Sequence, residues 1–355
     1  MNRYLSKIVK NIKPYTPGEQ PKDRKFIKLN TNENPYPPSP KVIEAIKLAA
    51  NETLRLYPDP GCDELRDAIA KHYHLRKEQV FAGNGSDEVL AFSFPAFFEP
   101  SGNPVLFAEV TYSFYPVYAD IFNIKYKLVS VDAEFNISEE GYYQHNGGII
   151  IANPNAPSGR GISTETIEAI LRRNENSVVI IDEAYVDFGG QTTVGLIPEF
   201  PNLLVIKTLS KSHSLAGLRV GYALGHEGLI EGLIRIKDSI NSYTVDRLAL
   251  AGAQAAIEDE AYFQETRSKI IKTRKQVAER LAQMGMKVIP SQANFVFVSF
   301  PKCSGGVLFS RLREKGILVR YFNKPKIDNF IRVTIGTDEE MDIFLDAIAS
   351  IESTE

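Results

Sequence analysis

Between residues 80 and 225 the sequence keeps returning to one pattern. A short apolar run ends in a polar residue, and a stretch with helical spacing follows. Ile149-Ile150-Ile151-Ala152 runs into Asn153, Val178-Val179-Ile180-Ile181 into Asp182, and Leu203-Leu204-Val205-Ile206 into Lys207-Thr208. These runs are apolar on consecutive residues, as in strands covered on both faces; a half-exposed strand would alternate. Strands are expected at Val80–Ala82, Val105–Ala108, Tyr126–Val129, Ile149–Ala152, Val178–Asp182, Leu203–Thr208 and Val220–Leu224, with helices such as Lys41–Ala50, Asp63–His74, Asp87–Phe97 and Thr164–Arg173. That βαβ rhythm predicts an α/β fold with a large, doubly wound, mostly parallel sheet.

After about residue 227 the pattern changes. A long helical region runs to about Met284, then come a strand at Asn294–Ser299, a helix around Val307–Lys315, strands Leu318–Arg320 and Ile331–Ile335, and a helix from Asp338. This order predicts a smaller α+β domain. Before it all, Pro14, Pro17 and Pro21 mark an extended arm. A chain of 355 residues exceeds the size at which one core stops growing, roughly 250–300 residues. The expected division is 31–227 for the large domain, with 1–30 and 228–355 forming the small one.

Composition removes several function classes. A net charge of −3 without clustered Lys and Arg gives no footprint for nucleic acid. The start carries Lys7, Lys10 and Lys13 without an apolar stretch, so no secretory signal is expected, and Val89–Phe98 is far too short to cross a bilayer. Two distant cysteines, Cys62 and Cys303, cannot form a disulfide framework, which points to the cytoplasm. The five histidines are scattered, and no metal is expected.

In open α/β sheets, ligands sit beyond the carboxyl ends of the strands. Val80-Phe81-Ala82 runs into Gly83-Asn84-Gly85-Ser86-Asp87 and a helix, whose first N–H groups would cradle a phosphate. It is neither Gly-x-Gly-x-x-Gly nor a Walker loop, so a dinucleotide or ATP is not supported. Asp182 ends one strand as a carboxylate that needs a cationic partner if buried. Lys211, just past another strand, suits a Schiff base with a carbonyl. Arg219 offers two parallel donors for a phosphate.

The order Gly85-Ser86-Asp87, Asn153-Pro154-Asn155-Ala156-Pro157-Ser158-Gly159, Asp182-Glu183-Ala184-Tyr185, Ser210-Lys211 and Gly217-Leu218-Arg219-Val220-Gly221-Tyr222 resembles the fold-type-I pyridoxal-phosphate aminotransferases. It is most similar to the histidinol-phosphate aminotransferase family, from Ile12-Lys13-Pro14-Tyr15 to Ile331-Arg332-Val333-Thr334. Asn30–Glu33 and Leu56–Asp59 sharpen the likeness.

The resemblance implies pyridoxal 5'-phosphate on Lys211, which also shuttles a proton. It implies Asp182 on the pyridine nitrogen and Tyr185 on the ring oxygen. Gly85, Ser86, Ser210 and Arg219 would hold the cofactor phosphate, and Tyr112 would stack on the ring. Tyr57 would reach the neighbouring subunit's cofactor phosphate, making a homodimer with shared sites. Tyr15, Asn32, Arg320 and Arg332 would meet the substrates. These are expected to be L-histidinol phosphate and 2-oxoglutarate, converted to imidazole acetol phosphate and glutamate. His213 is read as packing.

Within the fold, threonine-phosphate decarboxylase of cobamide synthesis and aromatic-amino-acid aminotransferases are the rivals. A transcriptional regulator built on such a domain would need a DNA-binding module, for which the arm before Leu29 is too short. One departure stands out. Many relatives place an asparagine before the Pro-Ser/Thr-Gly turn, and here that residue is Ala156. Either Tyr185 alone meets the ring oxygen, which we favour, or a shifted turn brings Asn155 to it.

Overall fold

The computed structural model describes residues 3–352; residues 1–2 and 353–355, at the ends of the expected small domain, lie outside the described residues. Its strands are β1 (Ile27–Lys28), β2 (Val80–Gly83), β3 (Val105–Ala108), β4 (Tyr126–Val129), β5 (Gly148–Ala152), β6 (Val179–Asp182), β7 (Leu203–Thr208), β8 (Gly221–Gly225), β9 (Lys287–Ile289), β10 (Phe295–Ser299), β11 (Ile317–Leu318), β12 (Arg320–Tyr321) and β13 (Ile331–Thr334). Seven form one sheet in the order β2-β8-β7-β6-β5-β3-β4. Each lies within one residue of its expected bounds.

From β7 to β4 the neighbours are parallel; β8 alone is antiparallel, to both β7 and β2. The segment 209–220 contains no crossover α-helix, so the chain returns alongside β7 in the opposite direction. Alternate residues of the central strands feed two cores. Ile149, Ile151, Ile181 and Val205 face a cluster with helices Asp63–Tyr73, Thr164–Arg173 and Arg247–Glu258. Ile150, Ile180, Leu204 and Ile206 face another with helices Gly85–Phe97, Phe114–Phe122 and Glu227–Ile240. Both faces are dry, which is why the strands read as unbroken apolar runs.

The expected helical region 227–284 is three helices, Glu227–Ile240, Arg247–Glu258 and Glu260–Gln283. Asp246 starts the second by accepting the N–H groups of Leu248 and Ala249, both at 2.9 Å. Helix Phe114–Phe122 was not expected, because its aromatic-rich sequence has only modest helix propensity.

A second sheet, in the antiparallel order β12-β13-β10-β9, packs with helices Glu260–Gln283, Gly305–Glu314 and Asp338–Glu352 around Ile270, Val296, Leu308, Val333 and Phe344. The expected strand Leu318–Arg320 is divided between two sheets. β11 pairs in parallel with β1 of the arm, while β12 joins β13.

Candidate active site

The parallel strands β3, β5, β6 and β7 end at one edge of the large sheet, and β2, antiparallel to an antiparallel strand, ends there too. A cavity of about 300 Å³ opens at this edge. Asp182 is the last residue of β6, Lys211 lies three past the end of β7, and the helix beginning at Gly85 follows β2.

That helix begins two residues before its expected start, so Gly85 and Ser86 lie in its first turn, where N–H groups have no intrahelical partner. Gly85 has φ +82°, and a Cβ there would lie 2.6 Å from Nη2 of Arg219. A Cβ on Gly221 would lie 2.2 Å from the Ser86 nitrogen. Two glycines thus let the Arg219 loop close over the helix N-terminus. Arg219 Nη2 lies 3.2 Å from Asp87 Oδ2, and the Tyr112 hydroxyl donates to Asp87 Oδ1 at 2.8 Å. Thr208 Oγ1 donates to Ser210 Oγ at 3.0 Å. Ser86, Asp87, Tyr112, Ser210 and Arg219 all line the cavity, and Gly85 supports it from beneath Arg219.

At the other end stands Asp182, 5 % exposed. Its Oδ2 accepts the Tyr115 hydroxyl at 2.7 Å, and its Oδ1 accepts the Ala184 N–H at 3.2 Å. Burial pushes its pKa up to about 6, although both bonds pull the other way. Tyr185 rises from the turn that follows. Its phenol oxygen accepts Asn32 Nδ2 at 2.9 Å. Asn32 is fixed in turn: its Oδ1 accepts Thr334 Oγ1 at 3.1 Å, and its N–H donates to the same hydroxyl oxygen at 2.9 Å. Lys211 Nζ donates to the Thr31 carbonyl at 3.3 Å and lies 5.8 Å from the Tyr185 ring centroid.

Opposite these residues the small sheet supplies two arginines. Arg332 donates from Nη2 to the Asn30 carbonyl at 3.1 Å and lies 5.2 Å from the Phe295 ring centroid. Its Nε is buried without a hydrogen-bond partner, and burial lowers the guanidinium pKa. Arg320 donates to the carbonyls of Thr16 at 2.6 Å and Pro17 at 3.1 Å, tying down the arm. That arm brings in Tyr15, whose ring stacks on Phe114 with centroids 4.3 Å apart. Lys211, Asp182, Tyr185, Asn32, Tyr15, Arg320 and Arg332 all border the cavity.

Besides Gly85, two expected residues, Asn155 and Tyr57, do not border this chain's cavity. Asn155 is fully buried in its turn; Nδ2 donates to the Val110 carbonyl at 2.8 Å and Ser158 Oγ at 3.3 Å, while Oδ1 accepts Thr111 Oγ1 at 2.8 Å. Its amide is committed to the turn, the arrangement expected if Tyr185 alone meets the ring oxygen; Ala156 borders the cavity instead. Tyr57 is 77 % exposed and stacks on Tyr243, with centroids 4.5 Å apart. His213 stacks on Phe263 at 4.6 Å, and burial lowers its pKa to about 4. Sequence reasoning missed Tyr115 and the bridging role of Asp87, because helix Phe114–Phe122, which carries Tyr115, was itself not expected.

The cavity therefore offers an amine, an anion cradle at a helix N-terminus, a buried carboxylate and a phenol. That donor set fits pyridoxal phosphate, which presents an aldehyde, a phosphate, a basic ring nitrogen and a ring oxygen.

The profile of the family described as "Aminotransferase class I and II" matches residues 24–348. A histidinol-phosphate aminotransferase of Clostridium beijerinckii is 56% identical over 99% of this chain and 98% of its own length. The crystal structure of the histidinol-phosphate aminotransferase from Clostridium acetobutylicum superposes with a TM-score of 0.86 at 25% identity, covering 93% of this chain and all (100%) of that one. The Sinorhizobium meliloti histidinol-phosphate aminotransferase, solved in complex with pyridoxal-5'-phosphate, gives 0.87 at 24% identity over 99% of both chains and shares the fold. The chain belongs to the class I and II aminotransferases and, within them, to the histidinol-phosphate aminotransferase family.

Proposed function

We propose that this aminotransferase uses pyridoxal phosphate to convert L-histidinol phosphate and 2-oxoglutarate to imidazole acetol phosphate and glutamate. The observation that carries the substrate class is Arg332, a part-buried guanidinium that borders the same cavity as Lys211 and has a carbonyl, not a carboxylate, as its hydrogen-bond partner. A guanidinium without a counter-charge favours an anionic ligand, and a phosphate or a carboxylate accepts its donors in pairs.

The cofactor, when bound, supplies an electron sink for charge developing at the substrate carbon. In this reading Lys211 Nζ would hold the cofactor covalently and, once the substrate amine has displaced it, would be the free amine that moves the proton between substrate and cofactor carbons. Asp182 holds the proton on the ring nitrogen. The Gly85 and Ser86 N–H groups, Ser210 and Arg219 bind the cofactor phosphate, and Tyr112 covers the ring. Because the Tyr185 oxygen accepts from Asn32, its own O–H is left to donate to the ring oxygen. Asn32 thus acts behind Tyr185 as well as beside the substrate, with Tyr15, Arg320 and Arg332 around the anionic end.

The active unit is a homodimer in which Tyr57 serves the neighbouring site. Its exposure, beside exposed Leu54 and Leu56, supports this. We place the enzyme in the cytoplasm; no helix among the described residues is long and apolar enough to cross a membrane. The large domain is best carried past residue 227 to about residue 258, since Ile230, Leu233, Ala249 and Ala253 pack into its cores.

The test offers histidinol phosphate, threonine phosphate and phenylalanine with 2-oxoglutarate. Histidinol phosphate should give the highest kcat/KM; release of carbon dioxide from threonine phosphate would favour the decarboxylase. Borohydride reduction and peptide mapping should place the cofactor on Lys211, and another site would refute the central assignment.

A further inference from the structure

Tyr115 lies at the start of helix Phe114–Phe122, wholly buried in the apolar cluster beneath β5, β6 and β7. Its ring packs edge-on against Phe107 at 5.8 Å and Tyr112 at 5.7 Å. A phenylalanine would serve that packing equally well. A hydroxyl buried in such surroundings is costly unless it is bonded, and this one donates to Asp182 Oδ2 at 2.7 Å.

Asp182 needs that bond. The groups facing it are Tyr115 and Tyr118 from the same helix, Asp87 from the helix after β2, and Glu183 from its own turn. Glu183 is engaged by Lys207, 3.1 Å away on β7. Asp87 is engaged by Arg219 and Tyr112. The carboxylate itself is stabilised by two donors, Tyr115 and the Ala184 N–H. They take one oxygen each, which also fixes the plane of the carboxylate.

We propose that Tyr115 is a positioning residue, holding the Asp182 carboxylate ionised and in one orientation for the ring nitrogen of the cofactor. The proposal rests on the assignment of Asp182 to that nitrogen. Tyr112 and Tyr115, three residues apart, then brace opposite ends of the same ligand. The first holds Asp87 and Arg219 at the phosphate end, and the second holds Asp182 at the ring end. Tyr115 opposes the rise in the Asp182 pKa that burial causes, so without its hydroxyl the carboxylate would take up a proton at higher pH.

The experiment uses full-length apoenzyme and titrates pyridoxal phosphate by absorbance and fluorescence between pH 5 and pH 9, for the wild type, Tyr115→Phe and Asp182→Asn. Tyr115→Phe should bind the cofactor about tenfold or more weakly near neutrality, the loss expected for one hydrogen bond to a charged group. The acid-side midpoint of its affinity profile should move to higher pH, while the apoenzyme melting temperature stays close to wild type. Incorporating 3-fluorotyrosine at position 115, a stronger donor of nearly equal size, should move the midpoint to lower pH. This second variant tests the idea even if Tyr115→Phe folds poorly.

Wild-type affinity and midpoint in Tyr115→Phe, with Asp182→Asn impaired, would overturn the proposal alone. An equal loss at every pH with an unmoved midpoint would do the same, since that is the signature of packing. If Asp182→Asn itself bound the cofactor normally across the range, the assignment of Asp182 and the proposal would both fall.

Discussion

Arg320 and Arg332 face each other directly across the antiparallel pairing of β12 and β13, two guanidinium-bearing residues on one face of a sheet beside the cavity. Directly opposed like charges destabilise a sheet by up to about 1 kcal/mol. The arrangement makes physical sense when an anion lies between them. Arg332→Ala should therefore lower kcat/KM at least about 100-fold, or about 3 kcal/mol, for histidinol phosphate and for glutamate. Arg332→Lys should recover only part, because an ammonium cannot offer the planar two-donor fork. Arg320→Ala should cost less, as its donors already serve the Thr16 and Pro17 carbonyls. Steady-state kinetics decide this, and a larger loss at Arg320 would reverse the assignment.

The burial of Asp182 carries a stability cost. Burial pushes its pKa to about 6, whereas an aspartate in the unfolded chain titrates near ~3.9. Between those values the folded apoenzyme binds a proton that the unfolded chain has released, so stability falls as pH rises through this window. Above it the charged carboxylate costs on the order of 3 kcal/mol. Asp182→Asn should raise the apoenzyme melting temperature at pH 8, with the gain shrinking toward pH 4, while cofactor affinity drops. A variant less stable than wild type at pH 8 would contradict the pH linkage.

Much of the large sheet was legible because its strands are dry on both faces and end in chemically distinct residues. The direction of β8 was not legible: a buried strand reads the same way up or down, and only the missing crossover helix sets it. Helix Phe114–Phe122 was hidden because Phe114, Tyr115 and Tyr118 suit strands as well as helices. Its absence from the sequence reading concealed Tyr115, whose hydroxyl has meaning only once β6 places Asp182 opposite. Lys211 and Arg219 were legible as charges set in apolar sequence, whereas Arg332 was singled out only through the family resemblance. The surroundings of Asn155 were not legible, because its three bonds lie with residues brought near by β3 and by its own turn.

Tyr57 lies outside its own chain's cavity, so shared sites make a directional prediction. Mix Lys211→Ala chains with Tyr57→Ala chains, each impaired alone, under subunit exchange. In the mixed dimer one site carries both lesions and the other carries neither, so activity should approach half that of a wild-type dimer. Demonstrated exchange without recovery would mean that Tyr57 does not serve the neighbouring site.

The turn after β5 gives two adjacent residues different surroundings. Asn155 is held by three hydrogen bonds inside the protein, whereas Ala156 borders the cavity and packs with Tyr185 and Phe295. Asn155→Ala would strand the Val110 carbonyl, and each buried group left unsatisfied costs about 1–3 kcal/mol. That variant should melt earlier, yet keep the pH midpoint of the cofactor's visible absorption. Ala156→Asn should do the reverse. A carboxamide beside Tyr185 can add a second donor to the cofactor's ring oxygen, worth about 1.5–3 kcal/mol for a charged acceptor. Since ~1.36 kcal/mol is one pH unit, the midpoint should fall by roughly one to two units. Spectroscopic titration of both variants separates the cases. If Asn155→Ala moved the midpoint and Ala156→Asn did not, the turn would have to rearrange on loading so that Asn155 turned toward the ring.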